Sequence, residues 1–184
     1  MAKLPPLAII FALALAPATH SAVAGPADLA ARPQAVTANA FAAGVTPLQN
    51  GALLYRPQRL PPGLAPLIVL LHGASQDPAP LLEQFRQVAD NRQVMVIAPK
   101  SRAATWDLVP ERGDKPKFGD DVPMIDNVLR EVFAKAPIDP KRIVLIGFSD
   151  GAGYALSLGT ANPKLFRGVV ALSPGFVVPP PGAG

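Results

Sequence analysis

The feature that most constrains this chain is a rhythm. Four short apolar runs recur along it: Leu67–Leu71 (LIVLL), Val94–Pro99 (VMVIAP), Arg142–Gly147 (RIVLIG) and Gly168–Ser173 (GVVALS). A continuous apolar run of this length reads as a strand buried on both faces, and such strands belong to parallel sheets covered by helices. The stretches between them have helical spacing. Asp77 can cap a helix with Pro78 at its first position, and Leu81, Leu82, Phe85, Val88 and Ala89 form its apolar stripe. A second helix starts at Asp120 and Asp121, whose charges suit a helix N-terminus. It turns Val122, Ile125, Val128, Leu129, Val132 and Phe133 inward and ends with Lys135 before Pro137. A third runs from Gly151 to about Ala161 and stops at Asn162-Pro163. "ALLYRPQ", from Ala52, adds an early strand. Strand alternating with helix predicts an α/β fold: a three-layer sandwich around a mostly parallel sheet.

The chain has 184 residues, enough for one domain, and its 49% hydrophobic content against 16% charged residues makes a buried core feasible. The first residues read as an export signal. Lys3 supplies a positive start, "LAIIFALALAPA" is a short apolar run, and the small residues Ala22 and Ala24 place cleavage after Ala24. The run is shorter than the ~20 residues a membrane span needs, and Pro17 breaks it. The expectation is a secreted or periplasmic protein with no stable span after cleavage. Gly25–Ala42, rich in Ala and Pro, reads as a flexible leader. Residues 43–178 form the domain, and 179–184 a Pro/Gly coil.

Several function classes drop out. Removing Lys3 with the signal leaves 16 of the 17 Lys+Arg against 13 Asp+Glu. These charges are scattered, with no basic block and no aromatic interleaving, so no nucleic-acid partner is expected. Zero cysteines exclude disulfides and thiolate metal sites. The two histidines, His20 and His72, are not spaced as a zinc-binding pair, so no metal is expected.

The chemistry concentrates in "RIVLIGFSDGAGYALSL", Arg142–Leu158. Gly147-Phe148-Ser149-Asp150-Gly151 fits G-x-S-x-G between a buried strand and a helix, the context that motif requires. A nucleophilic serine needs a tight strand-to-helix turn so that its hydroxyl projects above the sheet. Side chains two residues to either side would collide with neighbouring elements, which explains Gly147 and Gly151. The following helix points its positive end at the place where negative charge develops. The bland alternative is a Gly-rich turn that binds phosphate at a helix start. "GFSDGAG" lacks the lysine of a phosphate loop, and Asp150 would repel the phosphate.

Upstream, "LLHGASQD" puts His72-Gly73 at the end of the first buried strand. An acyl-transfer site needs two N–H donors for the tetrahedral oxyanion. The backbone of Asp150, just after the serine, can give one, and the backbone of Ala74 the other. A His directly before Gly at a strand end shapes that loop by bonding to backbone more often than it acts as a general base.

The segments "LIVLLHGASQD", "FGDDVPMIDNVLREVF", "IDPKRIVLIGFSDGAGYALSLG" and "LFRGVVALSPGF" together resemble the α/β-hydrolase superfamily. They look like the phospholipase/carboxylesterases, dienelactone hydrolases and polyhydroxybutyrate-depolymerase-like esterases, over about Ala52 to Phe176. The resemblance implies a serine hydrolase of carboxylic esters. Ser149 would be its acyl nucleophile, with Ala74 and Asp150 as oxyanion donors, no metal or organic cofactor, and a small-molecule or polymeric ester as substrate. Trp106 and Asp107 resemble a loop near the substrate, with a core Trp and a capping Asp as the other reading. In this superfamily the acid and the histidine follow the serine. Here no Asp or Glu follows Asp150 and no His follows His72. The expectation is a fold lacking its last strands, with impaired or no turnover. Gly168–Ser173 would then be an exposed apolar edge able to self-associate. The alternatives are a non-catalytic hydrolase-like binding protein and a half-domain completed by another chain.

Overall fold

The computed structural model describes residues 27–108, 117–175 and 177. The expected export signal and the coil 179–184 lie outside the described residues. In chain order the elements are β1 (Gly44–Pro47), β2 (Leu53–Arg56), β3 (Ala65–Leu71), α1 (Pro78–Arg92), β4 (Met95–Ala98), α2 (Asp121–Lys135), β5 (Ile138–Phe148), α3 (Asp150–Ala161) and β6 (Gly168–Leu172). Each of the four apolar runs forms a strand, and "ALLYRPQ" supplies β2.

The strands make one six-stranded sheet in the order β1-β2-β4-β3-β5-β6. β3, β4, β5 and β6 are parallel, while β1 pairs with β2, and β2 with β4, antiparallel. The sheet is therefore mixed. β1, which the apolar pattern does not mark, is joined to β2 by only a few residues, a connection too short for a parallel crossover.

Alternate residues of each strand feed two cores. Leu67, Val69, Leu71, Ile143 and Leu145 pack with Val122, Ile125, Leu129 and Phe133 of α2 and with Tyr154 and Leu158 of α3. Ile68, Leu70, Val96 and Ile146 face the other way, toward Leu82, Phe85 and Ala89 of α1. Helices thus cover both faces, α1 on one and α2 with α3 on the other, as the three-layer expectation requires.

Three local expectations are corrected. Residues 27–42 carry no helix or strand, yet they are not loose. Leu29, Ala31 and Phe41 are buried. The Leu29 N–H donates to Asn162 Oδ1 at 2.9 Å, and the Ala31 N–H to Asp126 Oδ1 at 2.6 Å. A few apolar side chains and borrowed side-chain acceptors suffice to seat a segment without periodicity. Val88 is 46% exposed rather than part of the α1 stripe. It lies one residue, roughly 100° of helix, around from buried Ala89. Asp77 holds the N-cap position of α1 but makes no side-chain cap bond. Its carboxylate instead pairs with Lys100 Nζ at 2.6 Å.

The winding of the connections reverses at β3. The connection through α1 moves to β4 on one side, and that through α2 returns past β3 to β5 on the other. Crevices outside the carboxyl ends of strands at such a reversal are where open α/β sheets bind ligands. The loop after β3 carries His72 and Gly73, and the turn after β5 carries Ser149.

Candidate active site

Ser149 is the single residue between β5 and α3, with φ 52° and ψ −114°. A positive φ at a residue with a Cβ costs of order 1–3 kcal/mol and persists only where the surroundings over-determine it. Here they do. The Ser149 N–H donates to Leu172 O at 2.9 Å, and its carbonyl accepts the Ala152 N–H at 3.0 Å. A Cβ on Gly147 would overlap the Gly151 carbonyl, and one on Gly151 would overlap the carbonyl oxygen of His72. Both glycines are therefore required by close backbone approach, as the motif spacing implies. The turn leaves Ser149 half-buried, at the N-terminus of a helix whose dipole favours negative charge there.

The loop after β3 faces this turn. Gly73 N–H donates to the Gln76 side chain (3.2 Å), and Gln76 N–H returns a bond to the Gly73 carbonyl (3.3 Å). The Ser75 N–H reaches the Ala104 carbonyl. These bonds fix the loop around Ala74, which is exposed. Gln76 is a residue that sequence reasoning missed. The available signal was its place three residues after Gly73, within reach of that N–H. Ser75, Gln76, Asp77, Leu81, Gln84 and Phe148 line a cleft of about 530 Å³ beside the turn.

His72 is 1% exposed, and both ring nitrogens are committed. Nε2 accepts the Ser101 N–H at 3.1 Å, so Nδ1 carries the proton and donates to the Gly73 carbonyl at 2.8 Å. Burial lowers its pKa below the ordinary histidine value, outweighing the bond to the Gly73 carbonyl. A neutral imidazole with no free lone pair shapes the loop and offers Ser149 no base.

Trp106 packs as the core residue of the other reading. It is fully buried, its Nε1 donates to the His72 carbonyl at 2.8 Å, and its ring packs between those of His72 and Tyr154. Its backbone N–H donates to Asp150 Oδ2 at 2.9 Å. The Asp150 side chain is thus drawn under the Trp106 loop, its Oδ1 buried without a partner, and burial raises its pKa. Asp107 is structural too. Its Oδ2 accepts the Asp121 N–H at 2.6 Å, and Asp121 Oδ2 accepts the Asp107 N–H at 2.9 Å. This reciprocal pair ties the loop to the start of α2, the capping role given as the other reading. Asp121 Oδ1 also takes the Arg102 N–H at 2.9 Å. Burial pushes both carboxyls up in pKa, with the backbone bonds opposing it.

Among the described residues, no group of three or more His, Asp or Glu is placed to hold a metal ion. No helix among them is long and apolar enough to cross a membrane.

A mixed sheet with helices on both faces and a positive-φ serine at the β5–α3 turn defines an α/β-hydrolase fold. Residues 63–182 match the family model described as phospholipase/carboxylesterase, and the chain belongs to that family. It is 32% identical over 124 residues to "Putative esterase NocK" of Nocardia uniformis subsp. tsuyamanensis, covering 66% of this chain and 36% of that protein. It is 27% identical over 132 residues to an acetylxylan esterase of Coprinopsis cinerea, covering 67% and 34% of the two chains. Its fold is similar to that of LpqC, a poly(3-hydroxybutyrate) depolymerase from Bordetella parapertussis, with TM-score 0.53 and 22% identity over 65% of this chain and 44% of that one. The chain thus spans about a third of the length of the curated relatives it matches.

Proposed function

We propose that the chain carries the nucleophile half of a carboxylic-ester hydrolase site, with Ser149 as the acyl nucleophile and the backbone N–H groups of Ala74 and Asp150 as oxyanion donors. The observation that carries this reading is the backbone of Ser149. A strained φ of 52° between two glycines that tolerate no Cβ has little structural purpose other than to present the hydroxyl. In the reaction, Ser149 Oγ bonds to the acyl carbon and its proton leaves to a base. The carbonyl oxygen takes up charge between the two N–H groups, and the alcohol departs with a proton. Donors of this kind contribute about 2.7–4 kcal/mol each to acyl transfer.

The proton has no good acceptor in the chain as given. His72 is committed on both sides, and no acid or histidine follows Asp150. Loss of a triad member leaves ~10³–10⁴-fold catalysis over water, from oxyanion hole and binding. Turnover is therefore expected to be low, with ester binding retained. The same commitment of His72 favours the second reading, a hydrolase-like binding protein. Substrates are carboxylic esters, small or polymeric, entering by the cleft beside Phe148. Export by the N-terminal signal belongs to the same proposal.

The test is incubation of the chain and its Ser149→Ala variant with a fluorophosphonate probe, beside p-nitrophenyl butyrate hydrolysis. The expected result is slow, stoichiometric labelling lost in the variant, with hydrolysis near background. Labelling that persists in Ser149→Ala would remove the serine from its role. No labelling, with retained ester binding, would establish the binding protein.

A further inference from the structure

The two backbone N–H groups assigned to the oxyanion belong to different elements. That of Asp150 opens α3, and that of Ala74 sits in the loop after β3. An oxyanion is one atom, so both donors must converge on a single point, each about 2.7–3.1 Å from it. The spacing of the two elements therefore has to be fixed where the donors are. The sheet does not reach that far: pairing of β3 with β5 ends at Leu71 opposite Gly147, before either donor. Among the described residues, no hydrogen bond runs directly between residues 72–76 and residues 149–151.

Trp106 spans the gap. Its backbone N–H donates to Asp150 Oδ2 at 2.9 Å, and its indole Nε1 donates to the His72 carbonyl at 2.8 Å. One residue thus holds the first residue of α3 with its backbone and the start of the Ala74 loop with its side chain. The loop around it adds bonds on the Ala74 side: Ala104 O accepts the Ser75 N–H, and the Ser101 N–H donates to His72 Nε2 at 3.1 Å. The rings of His72 and Tyr154 flank the indole, with centroids 5.1 and 5.2 Å away, and keep it from turning.

The residue types suit positioning better than stability. Asp150 is 8% exposed, and its Oδ1 has no partner. Burying a carboxyl with one oxygen unpaired is unfavourable, and an apolar side chain would avoid that penalty. What the carboxyl adds is its hold on the Trp106 N–H. An apolar ring would likewise fill the space of Trp106, but a phenyl ring would have no donor for the His72 carbonyl.

We propose that the Asp150 side chain and Trp106 are paired positioning residues, a hydrogen-bonded strut that sets the spacing of the Ala74 and Asp150 N–H groups so that the two halves of the oxyanion site hold their geometry as one unit. The role rests on the esterase reading of Ser149, but the strut itself can be tested without any reaction.

The first experiment is amide hydrogen exchange of the full chain, read by mass spectrometry, for the parent, Asp150→Ala and Trp106→Phe. The phenyl variant keeps a ring between His72 and Tyr154 and loses only the Nε1 donor. A strut predicts crossed effects. Asp150→Ala should speed exchange of the amides of residues 73–76, to which its side chain makes no bond. Trp106→Phe should speed that of the Ala152 and Gly153 amides, which hold the Ser149 carbonyl. Each change should be about tenfold, with the amides of α1 exchanging as in the parent. Loosening confined to the substituted side, or spread equally into α1, would overturn the proposal. If Asp150→Ala does not fold, Trp106→Phe carries the crossed prediction alone.

The second experiment divides fluorophosphonate labelling of Ser149 into probe affinity and bond formation. Each variant should slow bond formation roughly 10- to 100-fold and leave affinity unchanged. The double variant should be no slower than the slower single one, because two links in series fail when either fails. Asp150→Asn, whose amide oxygen can still accept the Trp106 N–H, should recover most of the loss. Losses that multiply in the double variant, or that fall on affinity, would overturn the strut. No labelling of the parent, or labelling that persists in Ser149→Ala, would instead remove the esterase reading, and the exchange pattern would still decide whether the two loops are coupled.

Discussion

The two faces of the sheet are covered unequally. On one, α2, α3 and the segment from Ala27 to Ala31 leave Leu67, Val69, Leu71, Ile143 and Leu145 fully buried. On the other, α1 lies over β2, β4 and β3 only, Val144 and Ile146 are partly buried, and Phe148, Val170 and Leu172 reach solvent. Both faces come from strands of similar composition. Among the described residues, the difference lies in the number of helices over each face, and it sorts the site. The closed face holds the Ser149 turn rigidly from behind, through Trp106, Tyr154 and Asp150. The bare face leaves a cleft beside Phe148 through which a ligand could approach.

Substitutions on the two faces should therefore differ, and the largest effect is expected behind the turn. Trp106→Ala removes a fully buried ring and the donor to the His72 carbonyl. It should cost ~3–5 kcal/mol, read as a fall in the urea midpoint. It should also slow fluorophosphonate labelling of Ser149, since the loop that fixes Asp150 loosens. A change below 1 kcal/mol would mean that the closed face is not what holds the turn.

Asp121→Asn should have an intermediate effect. Its two oxygens accept the N–H groups of Arg102 and Asp107, and an amide nitrogen would confront one of those donors. The expected cost is about 1–3 kcal/mol. Its pH dependence carries a sign. Burial raises the pKa of Asp107, Asp121 and Asp150, so the native state holds protons that the unfolded chain has released. That contribution is full below the ordinary carboxyl value and is lost as pH rises through the raised one. His72 works in the opposite sense. Its lowered pKa gives stability that is full above the ordinary histidine value of about 6.5 and is lost as pH falls toward the lowered one. In a series of thermal midpoints against pH, Asp121→Asn should flatten part of the decline on rising from pH ~4. His72→Gln, which keeps an acceptor for Ser101, should flatten the decline below pH ~6.5.

The smallest effect belongs to the bare face. Val88→Ala on the outer flank of α1 should change stability by no more than ~0.5 kcal/mol. A cost near that of a buried valine would show that something covers this flank in solution, and would erase the contrast between the faces.

Much of this was legible beforehand. The four apolar runs place β3 to β6; for β3 to β5 the reason is burial between helices, whereas β6 is apolar with Val170 and Leu172 still exposed. The stripe from Val122 to Phe133 gives α2, and Gly147 and Gly151 mark where backbone comes too close for a Cβ. The hairpin strand β1 was not legible, because four residues with one solvent face carry too little pattern. Nor was the seating of Leu29 and Ala31, whose bonds run to Asn162 and Asp126, more than ninety residues away in the chain.

By itself, then, the sequence determined the alternation of strand and helix and the serine at the turn between β5 and α3. Both are written in local terms: the periodicity of side chains, and the spacing of residues that cannot bear a Cβ. Only the tertiary structure decided what surrounds that serine. It buried Trp106 against His72 and Tyr154, and bonded Asp107 to the backbone at the start of α2. It committed both nitrogens of His72 to carbonyl and amide partners. Partners such as the Ser101 N–H, twenty-nine residues away, meet only when strands from distant parts of the chain lie side by side.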